Sequence, residues 1–257
     1  MPNKLRKYFL VLVVFLGCVL PQSVALAVEG SKVSVVESVI KAFKNENIGE
    51  IARLVRYPLE RPYPLTAISG PKDFRARFGL VFDKTFIERI ARSSPLKDWA
   101  DMGWRGIMFD DGAIWLDGDG RITAVNHSSA AEQKEVGNAI QKQKLKLNPS
   151  LRHFITPVLD WETKVYRVRI DELANGKYRY AVWKKGQSTL ESPSLVLTDG
   201  VLTYDGSGGN HFYTFKNGRY RYVCYVIELG TAESPPGELD VYEGKRLLMR
   251  QNVLKVR

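Results

Sequence analysis

Apolar residues recur at helical spacing through the first third of the chain, and at alternate positions through much of the rest. Val35, Val36, Val39, Ile40 and Phe43 predict an amphipathic helix, with Ser34 and Glu37 spaced as a capping box. Asn47 and Glu50 open a second, shorter helix carrying Ile48, Ile51, Leu54 and Val55. The stretch from Tyr57 to Leu65 holds Pro58, Pro62 and Pro64, which remove backbone donors and force extended shapes, so it is not helix. Gly70-Pro71 restarts a helix with Phe74, Phe78, Val81 and Phe82 facing inward, and another follows from Asp83 through Phe86, Ile87 and Ile90.

The period then changes to two. Trp104–Phe109, Ala113–Leu116 and Arg121–Asn126 read as short strands, joined by hairpin turns at Asp111-Gly112 and Gly118-Asp119-Gly120. Asp117-Gly118-Asp119-Gly120 lacks the further oxygens and closing glutamate of a calcium loop, and reads as a turn. Ser129 with Glu132 caps a polar helix running to about Lys144. Its apolar positions, Val136 and Ile140, are sparse, as on a surface or linking helix. From Lys164 onward seven short strands alternate with turns such as Asn175-Gly176, Asp199-Gly200 and Asn217-Gly218. That spacing predicts a meander closing into a barrel or sandwich.

The N-terminus adds a targeting expectation. A basic head with Lys4, Arg6 and Lys7 precedes the apolar run Phe9–Leu20, then Pro21, then Ala25-Leu26-Ala27 with small residues at the cleavage positions. This predicts a signal peptide over 1–27, a mature chain starting at Val28, and an exported, periplasmic or extracellular protein. Cys18 is a poor lipidation site, because apolar residues continue past it. Losing the segment lowers the formal charge from +10 to +7, spread evenly over both halves. The excess favours an unknown protein partner or an anionic envelope component, and the lack of a basic block or recognition motif argues against nucleic acid. Past the signal only Cys224 remains, so no internal disulfide forms and it reads as a buried strand residue between Tyr222 and Val226. No motif implies a metal or cofactor, and a homodimer is open.

Val36-Glu37-Ser38-Val39-Ile40-Lys41-Ala42-Phe43, Tyr57-Pro58-Leu59, Asp73-Phe74, Arg77-Phe78 and Gly103-Trp104-Arg105-Gly106-Ile107-Met108 carry a resemblance. Over residues 33–127 the chain resembles the NTF2-like (cystatin-like α+β) folds, and more closely a set of exported bacterial proteins of unassigned function. The resemblance implies a helix-lined cone of curved antiparallel sheet, which in that group holds the pocket of small isomerases, dehydratases and cyclases or serves non-catalytic binding and dimerisation. By strand count alone the second half resembles small exported β-barrels of the calycin or lysozyme-inhibitor kind. The expected division is a signal peptide 1–27, an NTF2-like α+β domain 28–128, a linking helix and loop 129–159 and an all-β domain 160–257.

Candidate chemistry is thin. Trp104, Arg105, Trp115 and Asn126 lie on the predicted sheet and either line a cone pocket or serve as core and surface; tryptophan in a sheet usually packs. His127, facing Asp101, is the candidate acid–base pair, with a turn or capping role as the alternative. Arg167, Arg169, Arg179 and Arg221, interleaved with tyrosines, form a basic stripe that reads as a partner surface or as a solvated barrel face. The leading expectation is a non-catalytic exported binding protein, in its sharpest form an inhibitor of an envelope enzyme. The alternative is an isomerase- or hydrolase-type enzyme using the cone.

Overall fold

The computed structural model describes residues 26–28, 30–206 and 208–256. The basic head, the apolar run and Cys18 lie outside the described residues. A mixed unit comes first: β1 (Leu26–Ala27), α1 (Ser31–Lys44), α2 (Ile48–Leu54), α3 (Pro71–Val81), α4 (Lys84–Arg92), α5 (Pro95–Asp98), β2 (Trp99–Asp101), β3 (Ile107–Phe109), β4 (Ile114–Leu116) and β5 (Ile122–Val125). The five strands pair antiparallel in sequence order. Local chemistry sets several ends: the Asn47 side chain accepts from the Glu50 amide at 3.1 Å, Asp83 from Phe86 at 2.8 Å, and Pro71 opens α3. Helix α1 starts at Ser31, so Ser34 sits inside the helix rather than capping it.

One face of the sheet meets the helices in a filled core. Val36, Val39 and Phe43 from α1, Phe74 and Phe78 from α3, and Phe86 and Ile90 from α4 close over Ile107, Ile114, Leu116 and Ile122. The Phe74, Phe78, Phe82 and Phe86 rings run through it at 5.3 to 6.1 Å centroid spacing. The proline-rich stretch is extended, bridged to the rest by Leu59 with Ile68 and by Val55 with Ile122.

The second sheet is a meander: β6 (Thr156–Glu162), β7 (Tyr166–Glu172), β8 (Tyr178–Lys184), β9 (Leu195–Tyr204), β10 (His211–Asn217), β11 (Tyr220–Val226), β12 (Gly237–Glu243), β13 (Arg246–Asn252) and β14 (Lys255–Val256). It curls until its two ends meet. The Val253 amide donates to Gly237 O on β12, and the next amide, Leu254, donates to Glu162 O on β6. Alternate residues fill the inside, among them Leu159, Trp161, Val168, Ile170, Tyr180, Phe215, Cys224 and Leu239. Cys224 is fully buried as expected, and burial pushes its thiol well above the usual range. Two departures from the pattern have physical causes. Asp199-Gly200 is not a turn but an irregularity within β9: Asp199 takes φ 60°, and a Cβ on Gly200 would stand 2.1 Å from the Phe215 ring. Strand β6 forms although Pro157 interrupts its ladder, with a register shift between Pro157 and Leu159.

Helix α6 (Ala130–Leu145) connects the two sheets in sequence and touches α3 on one side and β8 on the other. Ser129 caps it, accepting from Glu132 at 3.0 Å. Its first turn is anchored in the mixed unit by Arg61 and Glu132, whose side chains are buried. Its far end leads into Leu147, Leu151 and Phe154, which pack with Ile140 on Ala181 and Trp183 of β8. Among the described residues no helix is long and apolar enough to cross a membrane.

Candidate functional site

The space between the helices and the sheet of the mixed unit is packed, and the residues expected to line a pocket there lie elsewhere. Residues 103–105 form a 3-10 turn rather than strand, because Gly103 and Gly106 take φ 65° and 102° and a Cβ on Gly106 would lie 2.1 Å from the Leu116 carbonyl oxygen. Trp104 is therefore 85% exposed, and Arg105 is exposed beside it. Trp115 lies between the inward Ile114 and Leu116, half-buried on the sheet face turned from the helices and folded over Gly112. Asn126 stitches the β3–β4 hairpin, its amide nitrogen donating to Gly112 O at 2.8 Å. These four residues do not converge on a pocket. The buried tryptophan of the unit is Trp99, whose indole donates to Ser93 Oγ at 2.9 Å.

His127 pairs with an aspartate, but with Asp83 rather than Asp101. Nε2 stands 2.8 Å from Asp83 Oδ2, and the imidazole stacks on Phe86 at 3.9 Å. Asp101 is held by Lys32 at 2.5 Å and accepts from the Gly103 amide. Burial raises the Asp83 pKa, but the Phe86 amide, the His127 hydrogen bond and the charges of His127 and Arg89 outweigh it, leaving the carboxyl below its ordinary value. A 740 Å³ groove runs beside α4 over Trp99 and Phe109, and neither His127 nor Asp83 lines it. Its rim charges answer one another, Arg89 with Asp110 and Arg92 with Glu88.

The basic stripe is taken up by the chain itself. Arg167 grips Asp160 through two hydrogen bonds of 2.9 and 2.6 Å. Arg169 lies opposite Asp160 in the β6–β7 ladder, 3.9 Å from its carboxylate and 2.7 Å from that of Asp171, although the latter contact lacks hydrogen-bond alignment. Arg179 lies opposite Asp171 in the β7–β8 ladder, bonds it at 2.7 Å and donates to the Leu151 and His153 carbonyl oxygens. Phe154 covers both arginines, 5.0 Å from Arg169 and 5.9 Å from Arg179. With 2% and 5% exposure, Arg169 and Arg179 offer nothing to a partner. Arg221 lies apart, over the Tyr242 ring at 4.3 Å.

What does form a site is the place where the curled sheet closes poorly. Among the described residues, strand β14 pairs with Trp161 and Glu162, and none pairs with Val158–Asp160 of β6 on that side. A cavity of about 330 Å³ occupies the gap. Val158, Leu159 and Trp161 form one wall, and Val226 at the end of β11 with Ile227, Glu228 and Pro236 of the β11–β12 connection form another. His211 and Tyr213 reach it from β10, and Tyr63 of the proline-rich stretch stands at its edge. Asn210 fixes the far wall, its oxygen accepting from the Glu228 and Leu229 amides at 2.9 and 2.8 Å and its nitrogen donating to Leu229 O. Burial pushes the Tyr213 and Tyr63 phenols up, so both stay protonated donors at neutral pH. Tyr63 read only as part of a non-helical stretch, and no local signal marked it. His211 carried the one visible hint, an imidazole beside a glycine-rich loop. No family model, no curated protein and no solved structure matches the chain. What stands is an α+β protein with one helix-packed antiparallel sheet and a second, barrel-like sheet.

Proposed function

We propose that this chain is an exported, non-catalytic binding protein that receives an extended polypeptide of an envelope partner at the lateral opening of its barrel. The observation that carries this reading is the stretch Val158–Asp160, which no described strand residue pairs on that side, beside an aromatic and apolar cavity. Free backbone groups along a strand edge give a peptide its main-chain bonds, and neighbouring cavities take alternate side chains. Val158, Ile227 and Pro236 supply the apolar contact, and His211, Tyr63 and Glu228 the polar groups that orient a ligand. An inhibitor of an envelope enzyme is one form of this function.

The test uses peptides selected from a random display library against the full chain. Binding should weaken at least tenfold in Ile227→Asp and in Val158→Asp, and stay unchanged in His127→Ala. Selected peptides that bind all three variants equally would overturn the proposal.

Turnover has one observation in its favour, the 2.8 Å contact between His127 and Asp83. Both Asp83 oxygens are engaged, however: one caps α4 at Phe86 and the other holds the imidazole. That arrangement fixes the junction between α4 and the end of β5, and the enzymatic reading needs a substrate whose conversion stops in His127→Ala.

A further inference from the structure

A second cavity, of about 300 Å³, lies where the end of α6 crosses the β7–β8 hairpin, separate from the barrel opening. It is lined by Lys144, Arg152, His153, Phe154, Ile155, Leu173 and Ala174. No carboxylate is in that lining. Among the described residues none pairs with Lys144 or Arg152, unlike Arg61, Arg167, Arg179 and Arg250, each of which grips an acid. Lys144 lies over the Phe154 ring with its Nζ 4.8 Å from the centroid. Arg152 spends its Nε on the Leu147 carbonyl oxygen at 3.0 Å, which orients the guanidinium.

The ion cluster behind the cavity takes no part in it. Phe154 also contacts Arg169 and Arg179, and Asp171, which meets both, is fully buried with them. Arginines 167, 169 and 179 face aspartates 160 and 171, and Glu162 lies opposite Arg167 in the β6–β7 ladder, so this cluster is balanced within itself and leaves Lys144 and Arg152 as the cations of the cavity. The arginine Nε atoms of 169 and 179 are buried without a hydrogen-bond partner. A cation at a helix C-terminus is ordinarily explained by the helix dipole. Here the Gln143 and Lys144 carbonyls of α6 are already met by the Lys146 and Leu147 amides, and the Lys144 side chain lies over the phenylalanine instead.

We infer that this cavity is an anion site, selective for a phosphate ester whose organic part rests on Ile155 and Leu173. Lys144 and Arg152 supply two charge-assisted contacts, and the guanidinium matches phosphate geometry through paired N–H groups. The volume sits at the lower end for small-molecule sites, which suits a compact monoester or the headgroup of a phospholipid. The inference rests on neither the peptide reading nor the barrel opening.

Titration calorimetry of the full chain with phenyl phosphate and with inorganic phosphate tests it. Phenyl phosphate should bind saturably and more tightly than inorganic phosphate, because only the ester uses the apolar floor. The double variant Lys144→Gln/Arg152→Gln should weaken it by about tenfold or more, and Lys144→Gln alone, which leaves the Arg152–Leu147 contact in place, should weaken it while melting at the wild-type temperature. Vesicles of phosphatidylglycerol in phosphatidylcholine separate the sources. Vesicle binding that disappears in the double variant assigns the phosphate to a lipid headgroup; phenyl phosphate binding without vesicle binding assigns it to a soluble ester. No saturable binding of phenyl phosphate, or equal binding by the double variant, overturns the inference. Ile227→Asp should leave phosphate binding intact, which keeps failure of this site distinct from failure of the peptide site.

Discussion

Arg61 and Glu132 meet in a buried, two-pronged ion pair, Nε to Oε1 at 2.7 Å and Nη2 to Oε2 at 2.5 Å, with each side chain 1% exposed. The same guanidinium donates to the Val125 and His127 carbonyl oxygens at 2.6 and 3.2 Å. One arginine thus ties the proline-rich stretch, the end of β5 and the first turn of α6 together. Ser129, the residue that caps α6, also donates its hydroxyl to Leu80 O at the end of α3.

Breaking one half of this pair should cost far more than removing both. Arg61→Met leaves a buried carboxylate without its partner, and a loss of about 3–5 kcal/mol is expected. Arg61→Met with Glu132→Leu should recover most of that loss, because no buried charge remains. Urea melts of the two variants decide it. A double variant no more stable than the single one would mean that the carbonyl contacts of Arg61, rather than the charge pair, hold the junction.

Tryptophan substitutions should rank by burial rather than by position in the expected strand. Trp99 is 2% exposed and Trp183 fully buried, so truncation of either to alanine should cost roughly 3–5 kcal/mol. Trp104→Ala should change stability by less than about 0.5 kcal/mol, as for other surface positions. Denaturant midpoints of the three variants check this, and a large loss in Trp104→Ala would mean that the exposed turn packs against something in solution.

Much of the fold was legible because the signals were local. Phe74, Phe78 and Val81 share a helix face by spacing alone, and Asn47–Glu50, Asp83–Phe86 and Ser129–Glu132 cap within a single turn. The site was less legible because its chemistry is set across strands. Arg167, Arg169 and Arg179 look like a basic stripe until the β6–β7 and β7–β8 registers bring Asp160 and Asp171 opposite them. Alternation through Trp104 suggested a strand, yet close approach of Gly106 to Leu116 O forbids it, and that contact spans a hairpin. Tyr63 meets the barrel only because the extended stretch crosses to it, its hydroxyl accepting from Gln143 at 3.3 Å. Nothing within several residues of Tyr63 could have announced that.

Acid should weaken the mixed unit through Asp83 and Asp101. The hydrogen bond from Lys32, then the Gly103 amide, holds Asp101 below the ordinary value of 3.8, and Asp83 is also lowered once its contacts outweigh burial. A carboxyl depressed in the folded state stabilises fully above its unfolded value and loses that contribution as pH falls through the folded one. Thermal melts should therefore fall below about pH 4, and fall less in Asp83→Asn/Asp101→Asn, since these are ordinary unfolded carboxylate values. An identical acid slope in the double variant would remove these two residues as the cause.

Alkali should act on the barrel. Burial lifts Tyr180 and Tyr213 well above 10.0, and burial together with Asp240 pushes Tyr242 up to about 12. A phenol raised in the folded state leaves stability intact below the unfolded value and withdraws it as pH rises towards the folded one. Phenolate absorbance of the folded chain should lag that of the urea-unfolded chain between pH 10 and 12, and stability should decline over the same span. Coincident titration curves would show these rings open to solvent.

The smallest stretch that folds as the barrel should begin near Leu147 rather than at 160. A fragment 160–257 discards Thr156–Leu159 of β6 and the Leu147, Leu151 and Phe154 cover over Ala181 and Trp183. It also strips Arg179 of the Leu151 and His153 carbonyl oxygens and opens Asp171, fully buried in the whole chain, to water. Burial of those groups is tolerable only while their partners are present. A fragment 147–257 keeps every one of these contacts and loses chiefly the Tyr63, Gln143 and Lys144 side of the seam. The longer fragment should unfold in one cooperative urea transition with structured near-ultraviolet dichroism from Trp161 and Trp183. The shorter should show a weak, broad transition or precipitate. Equal cooperativity in the two would mean that the 147–154 cover contributes little, and that the ion cluster beneath it stands on strand pairing alone.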